Sequence, residues 1–260
     1  MNNVNKTLYI PLYGKAYVSR KGIILSDKWA EKIWQKEVVA LKGKSKSKWL
    51  AYYMAMRAAI YDEWTRARLS ANPKAVVLHI GCGMDSRCER VNSSSLWYDV
   101  DFPEVINERR KYFTESDSYR MLPCDIRLGE WRENTPKGAD AIVILEGVSM
   151  YLKPEELNSF LSSLGEHFGS VKILMDCYTE KAAKISKYKN PINDVGVREV
   201  WGYDHPESLA TDSGLIFLKE YDMTPEKYIN ELSRMERRIF RRIYAGKISK
   251  ALYRMYEFSK

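Results

Sequence analysis

The stretch VVLHIGCGMDSRCER, Val76–Arg90, decides how this chain is read. An apolar, β-favouring run ends in Gly81 and Gly83, and a helical pattern resumes after Ser86. Glycines in such a turn adopt backbone angles closed to side chains and let a ligand approach the main chain. A dinucleotide fingerprint would place a third glycine at position 86. Ser86 stands there instead, and Asp85 sits at the mouth of the turn. A pyrophosphate on a helix N-terminus disfavours a carboxylate beside it, whereas a ligand with a positive group accepts one.

Five further β-rich runs follow the same rhythm: SLWYDVD (95–101), YRMLPCDI (119–126), ADAIVILEG (139–147), VKILMDCY (171–178) and LIFLKEYDM (215–223). Helical or loop segments separate them, among them KPEELNSFLSSLGEHF (153–168), and WLAYYMAMRAAIYDEW (49–64) precedes them as a helix. Strands that alternate with helices, some almost wholly apolar, predict an α/β domain with a parallel sheet covered on both faces. Residues 179–214 break the alternation and are expected to form a cap over the strand ends. The organisation expected is an N-terminal helical segment (1–72), an α/β core (73–224) and a basic amphipathic helical extension (225–260). In the extension Tyr228, Leu232, Met235, Ile239 and Ile243 make one apolar stripe.

The strand ends carry the chemistry. Asp101 closes the second strand, where a carboxylate accepts from both hydroxyls of a ribose or, alternatively, caps the helix led by Pro103. Asp125, with Ile126 beside it, is placed to meet the amino group and ring of an adenine; a turn aspartate is the plainer reading. Glu146 ends an apolar strand at the edge where open sheets of this kind bind ligands, and Tyr151 follows it. Arg57 falls on the apolar stripe of the N-terminal helix and must meet an anion, either a structural carboxylate or a ligand's. Anion, cation, diol and adenine receivers without a pyrophosphate cradle fit S-adenosylmethionine better than a nicotinamide dinucleotide.

Bulk composition excludes several classes. Apolar residues make up 45% of the 260, which supports a large core and argues against disorder. No apolar run reaches the length of a membrane span, and the first residues lack a secretory pattern. Four scattered cysteines fit reduced thiols in a cytoplasm, and no cluster has metal-ligand spacing. The net charge of +8 is concentrated at the end: residues 225–260 hold ten Lys and Arg against four Glu. A solvated helix face explains this more simply than nucleic acid or an acidic membrane surface.

VVLHIGCGMDSR, WYDVDFPEVINERRK and ILEGVSMYLKPEE resemble the signature blocks of the leucine carboxyl methyltransferase family, and TLYIPLYGKAYVS, AMRAAIYDEW and WGYDHPESLA resemble its bacterial polyketide-synthesis branch. The resemblance implies a Rossmann-like class I methyltransferase fold. That fold has a mostly parallel seven-stranded sheet, N-terminal helices and an inserted substrate cap. It implies that S-adenosylmethionine is held by Arg57, Gly81, Asp101, Asp125, Ile126 and Glu146, and that Lys15 reaches the methionine carboxylate; the turn itself adds Gly83 and Asp85 as cofactor-binding candidates. Cys82 and Ser86 depart mildly from the family pattern.

The expected reaction is methyl transfer to a carboxyl or hydroxyl oxygen of a small molecule, leaving S-adenosylhomocysteine. A carboxylate needs no base; a hydroxyl does, and Tyr151, Tyr178 and His205 are the candidates. His79 reads as a packed core residue and His167 as exposed. An RNA or protein carboxyl methyltransferase that holds an acidic partner on its basic extension stays open, as do a homodimer and a non-catalytic cofactor-binding module.

Overall fold

The computed structural model describes residues 8–36, 43–186 and 199–260. Its centre is a seven-stranded sheet of β1 (Val76–Ile80), β2 (Trp97–Asp101), β3 (Tyr119–Pro123), β4 (Asp140–Leu145), β5 (Ser170–Tyr178), β6 (Ile216–Glu220) and β7 (Tyr253–Ser259). The order is β3-β2-β1-β4-β5-β7-β6. The first five strands are parallel, and β7 runs antiparallel between β5 and β6. The helices are α1 (Tyr9–Lys21), α2 (Lys28–Lys36), α3 (Lys48–Ala71), α4 (Arg87–Val91), α5 (Pro103–Arg109), α6 (Pro154–His167), α7 (Glu180–Ser186), α8 (Pro206–Ser213), α9 (Glu226–Ile229), α10 (Arg234–Ile243) and α11 (Lys247–Lys250).

Strands buried on both faces read as continuous apolar runs because successive side chains point to opposite sides. Leu78, Val143, Ile173 and Phe258 meet α6 and α8 through Leu157, Leu161, Leu164 and Leu209. Val77, Ile142, Leu174 and Met255 face the other way, in one core with Ala55, Met56 and Tyr52 of α3 and Leu12 and Ala16 of α1. Pro103 and Pro154 each open a helix at a position where the missing N–H costs nothing. At α6 the Glu156 carboxylate also accepts from the Lys153 backbone N–H at 2.8 Å.

Three expectations are corrected. Residues 225–260 do not form a helical extension: the helices there are short, Ser233 restarts the chain as the cap of α10, and YRMYEFS becomes β7. The residues of that strand alternate between the two cores, with Tyr253 and Met255 in one and Tyr256 and Phe258 in the other, so central burial outweighs the basic context. Of the expected stripe, Tyr228 and Leu232 are buried while Met235 and Ile243 are exposed. Residues 179–214 are not a single cap. α7 overhangs the strand ends, residues 187–198 lie outside the described residues, and α8 packs on α6 and β6 because Leu209 and Ala210 belong to the core. His167 is buried rather than exposed, edge-on to Trp131 at 5.3 Å and 3.0 Å from the Thr135 hydroxyl. Burial pushes its pKa down, so it packs as a neutral ring.

Candidate functional site

β1 ends in Gly81 and Gly83, both at positive φ (62° and 51°). A Cβ on Gly81 would lie 2.4 Å from Cγ2 of Val148, so glycine is demanded by space as well as by angle. The turn is tied from three directions. The Gly81 N–H donates to the Val100 carbonyl at 2.8 Å, the Gly83 N–H donates to Asp101 Oδ2 at 2.8 Å, and the Gly83 carbonyl accepts from Arg109 at 3.0 Å. The turn lies on the floor of a cavity of about 840 Å³ that opens at the carboxyl ends of β1, β2 and β4. That is the crevice where open α/β sheets bind ligands, and the size is toward the upper end of ligand pockets.

Lys15, Arg57, Gly81, Gly83, Asp85, Asp101, Asp125, Ile126, Glu146 and Tyr151 all line this one cavity. His205 does not: it is exposed at the start of α8, on the sheet-face side, because the chain has turned away from the strand ends by that point. His205 is thereby removed as an acceptor-side base. His79 is a core residue as expected, with Nδ1 3.0 Å from Asp99.

The cavity floor is a web of paired charges. Buried Arg57 donates to Glu146 at 3.0 Å, to Asp176 at 2.9 Å and to the Tyr253 hydroxyl at 3.0 Å, so its structural anions are present while its edge borders the cavity. Burial raises the Glu146 carboxyl, but Arg87 and Arg57 outweigh that and bring it down to about 2. Asp85, expected to face a ligand cation, already has Lys15 at 3.3 Å, Arg87 at 3.2 Å and Arg90 at 2.7 Å. Against the pull of burial these cations hold its pKa well below the usual carboxylate range. The site's own cations therefore account for that acid. Arg87 bridges Asp62, Asp85 and Glu146 and makes the web continuous.

Asp101 is different. Its two oxygens accept only backbone N–H groups, from Gly83 and Phe102, both at 2.8 Å. Desolvation pushes it up to about 6, opposed by those two bonds and by Arg109. Asp125 caps a short 3-10 turn, with Arg127 N 3.0 Å away, and its carboxyl is lowered first by the Arg127 side chain. Ile126 is half-buried beside it on the cavity wall.

Beside these charged groups the cavity is lined by Leu50, Tyr53, Tyr151, Tyr178, Tyr244 and Tyr253, with aliphatic side chains of α7, α10 and α11. The Tyr53 hydroxyl shares a 2.8 Å hydrogen bond with Ser249. Burial raises the Tyr53 and Tyr253 hydroxyls far above neutrality, so both stay protonated. The WGYDHPE motif acts as a strut. Trp201 N–H donates to Met150 O at 2.9 Å, Tyr203 N–H to Tyr178 O at 2.7 Å, and Tyr203 OH to Leu152 O at 2.7 Å, which fixes the loop bearing Tyr151.

Sequence reading passed over Arg87, Arg109, Asp176 and Tyr253. Asp176 had a visible signal, a carboxylate inside the apolar run VKILMDCY that demands a buried partner. The other three depend on contacts distant in sequence.

The profile of the leucine carboxyl methyltransferase family matches residues 11–165. Tetracenomycin polyketide synthesis O-methyltransferase TcmP of Streptomyces glaucescens is 27% identical over 244 residues, covering 91% of this chain and 89% of that protein. The S-adenosyl-L-methionine-dependent methyltransferase dpfgK of Gibberella zeae is 29% identical over 184 residues, 65% of this chain and 62% of its own. Among solved structures, a putative methyltransferase from Thermobifida fusca YX superposes with a TM-score of 0.54 at 13% identity, covering 95% of this chain and 94% of its own. Magnesium protoporphyrin IX methyltransferase from Synechocystis PCC 6803 with bound SAH gives 0.51 at 12% identity, covering 90% and 94%. At such identities the two structures speak for the fold alone.

Proposed function

The chain belongs to the leucine carboxyl methyltransferase family, and from that premise we propose that it esterifies a carboxylate of a small, largely apolar molecule. It is an S-adenosylmethionine-dependent methyltransferase. The residues on the cavity floor fit that cofactor: a glycine turn at positive φ on the floor itself, a buried lysine on the wall, and at the end of β2 a carboxylate bound only to backbone. In this reading Lys15 and the cavity edge of Arg57 meet the methionine carboxylate. Asp101 accepts from the ribose hydroxyls, and Asp125 and Ile126 border the adenine.

When bound, S-adenosylmethionine supplies a methyl group on a sulfonium; the acceptor oxygen forms a bond to that carbon as the C–S bond breaks, and its electron pair stays on sulfur. The task of the chain is placement and exclusion of water. One observation carries the choice of a carboxylate. Among the described residues that line the cavity, His79, Asp85, Asp125 and Glu146 are each already paired with another side chain, Lys15 and Asp101 are assigned to the cofactor, and the tyrosines Tyr53 and Tyr253 keep their protons. An acceptor already ionised at neutral pH needs no base. Its charge and that of the sulfonium cancel in the transition state, which a dry apolar wall favours. The relative named for polyketide synthesis supports oxygen as the acceptor atom.

Methyl-labelled cofactor offered with panels of aromatic carboxylic acids and phenols tests this. The expected product is an ester that releases labelled methanol in alkali, at a rate flat from about pH 6.5 to about pH 9, above the carboxylate range. An alkali-stable ether formed at a rate that climbs with pH would replace the carboxylate with a phenol.

Asp101 adds a second expected result. Its raised pKa of about 6 means the carboxyl is ionised above that value and protonated below. Cofactor affinity is therefore full near pH 8 and weakens as pH falls through about 6. Asp101→Asn removes this pH step and lowers affinity at neutral pH by about 1–3 kcal/mol, the scale of a hydrogen bond to a charged group. Titration calorimetry at several pH values checks it; an unchanged step in the variant takes the ribose away from Asp101.

A further inference from the structure

The mouth of the cavity is unusually apolar for exposed surface. Ile185 of α7, Ile243 of α10, Ile248 of α11 and Leu252 all line the cavity, and each is 44–51% exposed. Along α10, Met235, Ile239 and Ile243 recur every four residues and carry this apolar strip away from the mouth, ending at Met235, which is 74% exposed. Beside it runs a second row with the same spacing, Arg234, Arg238 and Arg242. These three arginines are exposed, and they have no hydrogen bond or ion pair to any described residue. Arg241 and Arg237 complete the cluster; Arg241 is bound to Glu226 at 2.5 Å and Arg237 to main-chain carbonyls. A strip of aliphatic side chains alongside a row of unneutralised guanidinium groups is the surface that seats at the headgroup boundary of a lipid layer, with phosphates over the arginines and aliphatic side chains among the acyl chains.

We infer that the exposed face of α10 and the rim of the cavity dock on an anionic phospholipid bilayer, so that an apolar acceptor passes from the lipid into the cavity. Nucleic acid fits this face less well. Single strands are held by bases stacked on rings, and the exposed neighbours of these arginines are Met235 and Ile243. The ring at the end of the helix, Tyr244, is already stacked on Trp49 at 5.7 Å and on Phe240 at 5.6 Å. α10 is also firmly seated. Its Glu236 accepts from Lys48 at 3.0 Å and Tyr52 at 2.9 Å, so the face is presented by a rigid element. The passage of acceptor rests on the function proposed above. Docking itself does not, and it is measured without methyl transfer.

The test is co-sedimentation of the purified chain with vesicles of phosphatidylcholine alone and of phosphatidylcholine with about 30% phosphatidylglycerol. Pelleting is expected with the anionic vesicles only, and it falls as salt shortens the screening length. Arg234→Glu/Arg238→Glu/Arg242→Glu lowers partitioning by on the order of 100-fold, about fivefold for each lost arginine and more for the reversed charge. Met235→Ser lowers it severalfold. Calorimetric affinity for S-adenosylmethionine stays at the wild-type value in these variants and reports that they are folded; the corresponding triple Gln variant serves if the Glu variant is not. Equal pelleting with neutral vesicles, no pelleting with anionic ones, or a triple variant that pellets like the wild type overturns the inference. So does tighter binding to RNA than to vesicles, or a two-chain mass in light scattering that the triple variant halves, which would assign the face to a second copy.

Discussion

Arg57→Ala is expected to lower the stability of the fold by about 3 kcal/mol and, separately, to weaken S-adenosylmethionine by about 1–3 kcal/mol. The first effect follows from what is left behind. Asp176 is wholly buried and Glu146 nearly so, and removing the guanidinium strips each of a charged partner. Glu146 keeps Arg87, and Asp176 keeps the Tyr61 hydroxyl at 3.0 Å and the Gly147 N–H at 2.6 Å. The loss is therefore placed at the low end of the range for breaking a buried pair. A urea melt reads it directly. The second effect belongs to the proposed cofactor contact and is isolated by adding Asp176→Asn. That change removes the orphaned charge and is expected to return much of the stability without restoring affinity. If calorimetry finds affinity unchanged in Arg57→Ala, the arginine is a structural clamp only. If the double variant recovers both properties, affinity was lost only through the fold.

The legible parts of this molecule share a physical cause. β1 and β4 stand out in the sequence because parallel strands buried on both faces must be apolar along their length, whereas the edge strand β3 exposes Arg120 and Pro123. The expected cofactor residues fall in one cavity for a related reason. The β2 and β4 carboxylates and the glycine turn lie at strand ends, which the sheet places along one edge, while Lys15 and Arg57 arrive from helices packed over it. What could not be read is pairing over long separations. β7 lies between β5 and β6, yet its sequence, YRMYEFS, carries Arg254 and Glu257 and follows a basic helix. Glu257 is tolerated in a buried strand because Arg68 reaches it at 2.7 Å and the Tyr221 hydroxyl at 2.8 Å, and no spacing rule announces either partner. Asp85 shows the same limit from the other side. Seen alone at the mouth of the turn it suggests a cationic ligand, whereas three cations of the chain, one of them seventy positions away at Lys15, converge on it. His205 was drawn toward the cavity by its neighbourhood in a motif that serves as a strut.

The pair that holds the glycine turn in place gives the other large expected effect, in Arg109→Met. Arg109 is wholly buried, with its guanidinium carbon 4.1 Å from the centre of the Phe113 ring. It pairs with Asp99 and donates to the Tyr119 hydroxyl and the Gly83 carbonyl, both at 3.0 Å. Methionine fills part of the volume but leaves Asp99, also wholly buried, without its guanidinium, with only Trp97 at 2.9 Å, Tyr119 at 2.7 Å and the His79 ring around it. Breaking such a pair costs about 3–5 kcal/mol at neutral pH. The pH dependence has a definite sign. Burial raises Asp99, but Arg109 outweighs it and the carboxyl falls to about 2, below its ordinary value. The stabilisation it contributes is present above about pH 4 and is lost as pH falls toward 2. The deficit of the variant is therefore largest at neutral pH and narrows in acid, where the wild type loses the same contribution. Asp99→Asn in the same chain removes the orphaned charge and is expected to restore most of the stability. The Gly83 carbonyl still lacks its tether, so the turn is free to shift and cofactor affinity stays reduced. Denaturant melts at neutral and acid pH, with calorimetry on both variants, separate the two roles. A neutral-pH loss below about 1 kcal/mol would mean that Asp99 is held by Trp97, Tyr119 and His79 and that the turn does not depend on this arginine.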